Sequence, residues 1–318
     1  MSQLSVIYGS FAAVPLFIIW LQVSWFILLL GCEICHVRQH RDYYELIDRR
    51  RLYHDTVKAK RVKVVLIGSG NVAEAFARTL ADTPNVLLRQ VMARNRERCE
   101  QVAAIGRCSW SIDPTELAEA DVYIIAVSDR AVESVVRKYR FPEDAIVVHT
   151  AGSVAMSAIP RPNRRGILYP FQSFSSGRII RLRDVPIFVE ADNEGVADFL
   201  KRFASLISSR VEYADSERRG KIHLAGVFVN NFTNHLYGIA TEIVSDENLS
   251  FDVLRPIISE TASKAIASGD PFAVQTGPAI RGDRAVTDKH LDILDDDDSK
   301  KQIYNDITNS IWETSKKM

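Results

Sequence analysis

Apolar positions fall into three regimes along the 318-residue chain. The first is an unbroken run: Met1 to Cys32 contains no charged residue. Within it, residues 12–30 (AAVPLFIIWLQVSWFILLL) are long enough to cross a hydrocarbon core of about 30 Å as a helix. Pro15, Trp20 and Trp25 are tolerated in such a span. A signal peptide would need a basic leader, a shorter apolar run and a small-residue cleavage site, none of which is present. A buried core helix of a soluble domain is the alternative. The second regime consists of short apolar runs at 62–67 (VKVVLI), 86–92, 122–127 (VYIIAV) and 145–149 (AIVVH), with helical periods between them. Such runs suit strands buried on both faces of a parallel sheet. Segments 166–174 and 185–190, a helix over 193–208 and a strand at 210–213 extend the sheet to about eight strands. The third regime is helical, with a long mostly apolar helix over 216–245 that is expected to be buried, another over 251–268, and a third capped by Thr287 and holding His290.

The expected fold class is therefore α/β: a Rossmann-type doubly wound parallel sheet followed by an all-helical C-terminal domain, with an N-terminal transmembrane helix. The domain boundaries read as a transmembrane segment over 1–40, a basic linker over 41–60, a dinucleotide-binding domain over 61–214, and a helical substrate and dimerisation domain over 215–318.

Residues 33–63 carry nine Lys or Arg against five acids, which places that flank of the span in the cytoplasm by the positive-inside rule. The chain as a whole holds 40 basic and 40 acidic side chains, so no global basic field recommends nucleic acid as a partner. Four cysteines without a string of paired spacings argue against a disulfide scaffold. Cys32 and Cys35 form a lone CxxC, too little to predict a metal site.

The chemistry begins after the run at 62–67. Gly68, Ser69, Gly70, Asn71, Val72 and Ala73 lead into a helix in the pattern of a dinucleotide turn. Gly68 allows the tight turn, Gly70 lets the backbone approach a pyrophosphate, and Ala73 permits close helix-to-strand packing. The helix N-terminus would receive the phosphates. Val127 and Ser128 fall on the sheet edge along which a dinucleotide lies. Where an NAD site would place an acid to bind the ribose 2′-hydroxyl, the chain has Ala93-Arg94-Asn95-Arg96, and Arg94 favours NADP, with NAD the alternative. Arg94, Arg96 and Arg98 also read as the solvated face of the next helix.

His149 and Ser153 sit at the carboxyl edge of the sheet, where open α/β folds bind ligands, although His149 also reads as a strand-end histidine satisfied by a carbonyl. In the long helix, His223, Val227, Asn230 and Asn234 share one stripe, with Asn231 and His235 alongside. Buried, such groups need partners, which a ligand or a neighbouring domain would supply. Arg281 is expected to hold a carboxylate and Asp283 to close a salt bridge.

Two resemblances follow from these residues. The motifs IGSGNVA, HTAGS, YPFQSF, HLAGVFVNNFTNHLY and TGPAIRGD occur in the order found in Rossmann-like proteins with the C-terminal domain of unknown function 2520. These are relatives of pyrroline-5-carboxylate reductase, 6-phosphogluconate dehydrogenase and ketopantoate reductase, and the match runs from Val62 to Leu294. The resemblance implies a nucleotide-binding domain, a helical domain and a homodimer. Several of those reductases use a helix Lys with an Asn four residues later; here Lys221 is followed at that spacing by Ala225, so the pair does not transfer. The segment YGSFAAVPLFIIWLQVSWFILLLGCEI resembles the last transmembrane helix of the YihY/BrkB membrane-protein family, which implies either a fusion or a reading frame that joins two genes.

Together these readings predict an NADP-dependent oxidoreductase acting on a small imine, keto or hydroxy acid, anchored to a membrane through its N-terminal helix with the enzymatic domain cytoplasmic, or cytoplasmic altogether if that segment is foreign. His223 would exchange the proton, Asn230 or Asn231 would bind the carbonyl or imine, Ser153 would orient it and Arg281 would hold its carboxylate. A noncatalytic dinucleotide-sensing module, or a regulatory domain of a transporter-like protein, are the alternatives.

Overall fold

The computed structural model describes residues 19–27, 29 and 61–317. Residues 19–27 and 29 are helical; residues 12–18, 28 and 30 of the expected span, the basic linker and the CxxC lie outside the described residues. Among the described residues no helix is long and apolar enough to cross a membrane. Two compact units are distinguished, Met1–Lys63 with Pro84–Leu87, and Val64–Thr83 with Leu88–Met318; the site described below lies wholly in the second.

Eight strands form one sheet in the order β3-β2-β1-β4-β5-β6-β7-β8. They are β1 (Val62–Ile67), β2 (Val86–Met92), β3 (Ser109–Ser111), β4 (Val122–Ile125), β5 (Ile146–His149), β6 (Arg164–Pro170), β7 (Ile187–Ala191) and β8 (Val211–Tyr213). The order reverses direction at β1, between β2 and β4, which opens a crevice at the carboxyl ends of those strands. β1 pairs parallel with β4 from Val64↔Val122 to Ile67↔Ile125, and both strands are buried on both faces along this register. That explains why their sequences show continuous rather than alternating apolar residues.

The sheet departs from an all-parallel arrangement at one place. β6 and β7 pair antiparallel, from Gly166↔Ala191 to Pro170↔Ile187. Their connection holds only the short 3-10 turn Leu182–Asp184, without the crossover helix that a parallel return ordinarily uses. β3, a three-residue strand, carries too short a pattern to stand out in the sequence.

Helix α1 (Asn71–Ala81) follows β1 and buries Ala73, Ala75, Phe76, Ala77 and Leu80; the alanines in its first two turns allow close packing on the sheet. Next come α2 (Arg96–Gly106), α3 (Val132–Val136) and α4 (Glu194–Ile207). α4 starts where the Asn193 side chain accepts from the Val196 N–H, and it buries Val196, Leu200, Phe203, Ala204 and Ile207 along one stripe.

Beyond the sheet the chain is helical. α5 (Ser216–Gly226) runs through a π turn (Val227–Phe232) into α6 (Thr233–Asp246), and then come α7 (Arg255–Ser268), α8 (Pro278–Arg281), α9 (Arg284–Ile293) and α10 (Asp298–Ser315). The burial expected of the long helix is not found within one copy of the chain. Arg219 is the last buried residue, and from 220 to 317 none is buried. α9 is capped by Asp283, whose side chain accepts from the Val286 N–H, whereas Thr287 lies inside the helix with its hydroxyl on the Arg284 carbonyl. The salt bridge expected of Asp283 thus gives way to a helix cap.

Candidate active site

The crevice at the sheet's switch point is a cavity of about 930 Å3, at the upper end of the range for small-molecule sites. Gly68, Ser69, Gly70, Asn71 and Val72 line one wall, and Val127, Ser128 and Asp129 line another. Gly68 has φ +135°, and a Cβ there would sit 2.1 Å from the Ala126 carbonyl oxygen, so the turn excludes any side chain. At Gly70 a Cβ would meet no protein atom within 4 Å; it would project into open space at the start of α1. No side chain caps that helix, so its first N–H groups have no side-chain acceptor. An uncapped helix start behind a glycine with open space before it fits the phosphates of a dinucleotide. Ala73 differs from its five predecessors: it is fully buried in the helix and lines no cavity.

Arg94 lines the same cavity from the end of β2, with Lys138 near the end of α3. The neighbouring arginines are engaged elsewhere. Arg96 stacks over the Trp110 ring at 5.4 Å, and Arg98 pairs with Glu74 at 3.2 Å. Asn95 is consumed as the α2 cap, accepting from the Arg98 N–H.

A second cavity, of about 300 Å3, is lined by Tyr169, Phe171, Gln172, Ser173, His223, Asn230 and Asn231, among others. One continuous segment borders both cavities: residues 171–173 line the second and Phe174 the first, where the Asn71 side-chain amide donates to the Phe174 carbonyl at 3.1 Å. The π turn sets which residues of the helix face in. Val229, Asn230 and Asn231 line the cavity, while Asn234 and His235, expected alongside, do not.

His223 is positioned from three sides. Its Nδ1 lies 3.2 Å from the Tyr169 hydroxyl, and a Cβ on Gly152 would come within 2.7 Å of that nitrogen and of the Tyr169 ring. One turn earlier on α5, Arg219 is 1% exposed and forms a buried ion pair with Glu190 of β7. Its remaining donors reach the Gly152 carbonyl at 3.2 Å and the Val154 carbonyl at 2.6 Å, tying α5 to the loop after β5. Burial, then the Asp129 carboxylate, push the Tyr169 phenol up to about 12 against the opposing pull of Arg219, so it is protonated at neutral pH.

Ser153 hydrogen-bonds Asp129 rather than lining the second cavity. His149 takes the structural role. Its Nε2 meets the Ala155 carbonyl at 3.3 Å and its Nδ1 accepts from the Ala151 N–H at 3.2 Å, and burial lowers its pKa to about 4. Arg281 lies on α8, next to Gly282, which packs under the Trp312 ring, and it lines neither cavity. Lys221 is exposed and pairs with Glu217 on the helix surface. Among the described residues no cluster of His, Cys, Asp or Glu is placed to hold a metal ion.

The order of strands, the glycine turn and the helical region that follows define an open α/β protein of the dinucleotide-binding class. Residues 63–152 match the coenzyme F420-dependent NADP oxidoreductase family, residues 185–311 the domain of unknown function 2520, and residues 1–52 the virulence factor BrkB family. A Bacteroides fragilis protein assigned as an NADP oxidoreductase is 38% identical, with 80% of this chain and 99% of that one aligned at a TM-score of 0.69. The chain belongs to the family of that protein. An imine reductase of Streptomyces aurantiacus, 17% identical over 80% of this chain and 95% of its own at a TM-score of 0.54, shares the fold. At the N-terminus, a UPF0761 membrane protein of Azotobacter vinelandii is 56% identical over 36 residues, 11% of this chain and 9% of that one. The chain spans between 9% and 29% of the curated membrane proteins it matches.

Proposed function

We propose that the protein is an NADP-dependent oxidoreductase that interconverts a small imine, keto or hydroxy acid and its partner in the second cavity. The observation that carries this reading is the segment Phe171 to Phe174, which borders a cleft sized for a dinucleotide on one side and a polar-lined pocket containing His223 on the other. Gly68 to Val72, Val127 and Ser128 would hold the dinucleotide, with Arg94 on its 2′-phosphate, a bidentate donor suited to that group. When bound, the reduced nicotinamide supplies a hydride. His223 supplies the proton, and Asn230 or Asn231 donates to the substrate carbonyl or imine. Ser153, held by Asp129 at the edge of the cleft, orients the loop that bears Gly152.

The helical region supports a second part of the reading. Leu224, Phe228, Val229, Ile257 and Ile266 are all exposed in one copy, and a homodimer would cover them. Arg281, remote from the cavity of its own chain, would then be free to serve as a carboxylate ligand in the dimer. The match of residues 1–52 to membrane proteins supports membrane attachment through the N-terminal segment, with the enzymatic domain on the cytoplasmic side.

Titration of the full-length chain with NADPH and NADH, followed by turnover assays on cyclic imines and 2-oxo acids, tests this. Arg94→Ala should weaken NADPH by about tenfold or more while leaving NADH nearly unchanged, the loss expected of one charge-assisted contact. Equal effects on both cofactors would remove the NADP preference. Tight binding without turnover on any substrate would favour the dinucleotide-sensing reading.

A further inference from the structure

We propose that Tyr169 and His223 form a two-residue proton relay, in which the phenol resupplies the imidazole that protonates the substrate. The inference rests on the reductase reading above and adds Tyr169, the first residue of the YPFQSF motif, to which the sequence alone assigned no role. Both side chains line the second cavity, and the phenol oxygen lies 3.2 Å from His223 Nδ1. The contact is built rather than incidental. Tyr169 is buried and ringed by Phe171 and Phe188, with centroids 6.2 and 6.4 Å away, so its hydroxyl has few directions open to it. Gly152 is the floor of the pair, since a single added carbon would strike both His223 Nδ1 and the Tyr169 ring at 2.7 Å. Arg219 fixes that floor by holding the Gly152 carbonyl.

The chemistry balances. A protonated phenol donating to Nδ1 leaves the neutral imidazole with its proton on Nε2, available to the cavity. When the substrate accepts the electron pair that the bound dinucleotide supplies, the Nε2–H bond breaks and the substrate N–H or O–H bond forms. The Tyr169 O–H bond breaks as the Nδ1–H bond forms. The imidazole thereby ends neutral in its other tautomer; the phenolate then takes back the Nδ1 proton as Nε2 gains one from water, which restores the starting tautomer. Two charges bear on that phenolate. Arg219 of α5, itself paired with Glu190 of β7, favours it, while Asp129 after β4 opposes it. His149, at the end of β5, is neutral across the working range.

The consequence is that turnover does not require an imidazolium. In the native chain the rate should stay level from pH 6 to 9, whereas in Tyr169→Phe the imidazolium becomes the sole donor. The rate of that variant should then fall as pH rises toward 9, over the range where the native rate stays level. KM and NADPH affinity should change less than about threefold, since phenylalanine preserves the packing against Phe171 and Phe188.

A second readout needs no substrate. Nitrogen NMR of the full-length chain labelled at histidine, with His223→Gln to assign the signal, should show neutral His223 as the Nε2–H tautomer, shifting to a mixture in Tyr169→Phe. An Nδ1–H tautomer in the native chain, or the same pH profile in both chains, would overturn the relay and leave the reductase reading intact. Failure of NADPH to support turnover of any imine or 2-oxo acid would overturn the reductase reading and the relay with it, the tautomer then reporting only the contact itself.

Discussion

Along β1 and β4 every side chain from Val64 to Ile67 and from Val122 to Ile125 is almost wholly hidden, whereas from 220 to 317 not one residue is buried although apolar side chains recur at helical spacing. Both regions hold their secondary structure, so the difference lies in where the covering surface comes from. The strands are covered by α1, α2 and their neighbours in the same chain. The helices have apolar faces that nothing in one copy covers. Arg219 stands at the junction, its buried ion pair on the sheet side and His223 one turn further toward the uncovered side. The first region carries its own cover, while the second leaves apolar faces open that the proposed second copy would cover.

The largest effect that sharpens this contrast is Phe76→Ala in α1, a fully buried ring. It should cost about 3–5 kcal/mol in chemical denaturation, equally at all protein concentrations. A concentration-dependent cost would mean that the sheet region also leans on assembly. Next is acidification. Burial lowers His149 from an unfolded value near 6.5 to about 4 in the folded chain. Between those two pH values the unfolded chain binds a proton that the folded chain does not. Stability from this group is complete above about pH 6.5 and is lost as pH falls toward 4, by up to about 3 kcal/mol. His149→Leu should flatten that part of the denaturation-against-pH curve, and an unchanged slope would show that other groups set it. The smallest effect is Ile266→Ser, at a side chain 83% exposed in one copy. In dilute protein it should shift stability by no more than about 0.5 kcal/mol. In concentrated protein the native melting temperature should rise with concentration and the variant's should rise less; two concentration-independent values would break the comparison.

The sheet was legible because its signals are local. The VKVVLI run, the glycine turn at 68–70 and the N-cap of α4 each report their own conformation, and the strand count of about eight holds. The antiparallel β6–β7 pairing was not legible, because it depends on what the connecting segment fails to form. In the site, His223, Asn230 and Asn231 were visible as polar groups in an apolar helix, and all three line one cavity. Tyr169 stands in the YPFQSF motif, but its role was not legible. A tyrosine in a strand is ordinary, and only the fold sets its hydroxyl against a histidine 54 positions away. Arg219 was equally hidden: nothing local separates it from Arg218, which stays on the surface with Glu212 while Arg219 goes inside. Arg281, suggestive in the sequence as part of a defined loop, lies on α8 and lines neither cavity of one copy.

The π turn at Val227–Phe232 also bears on how this chain is to be aligned with its relatives. One extra residue in a helix displaces everything after it by about 100°. A homologue without the turn would be one residue shorter between the positions of His223 and Asn234 and would still keep both flanking helices. An alignment that places no gap there would then pair cavity-facing residues of one protein with outward-facing residues of the other, and substitutions at Asn230 and Asn231 would look more permissive than they are.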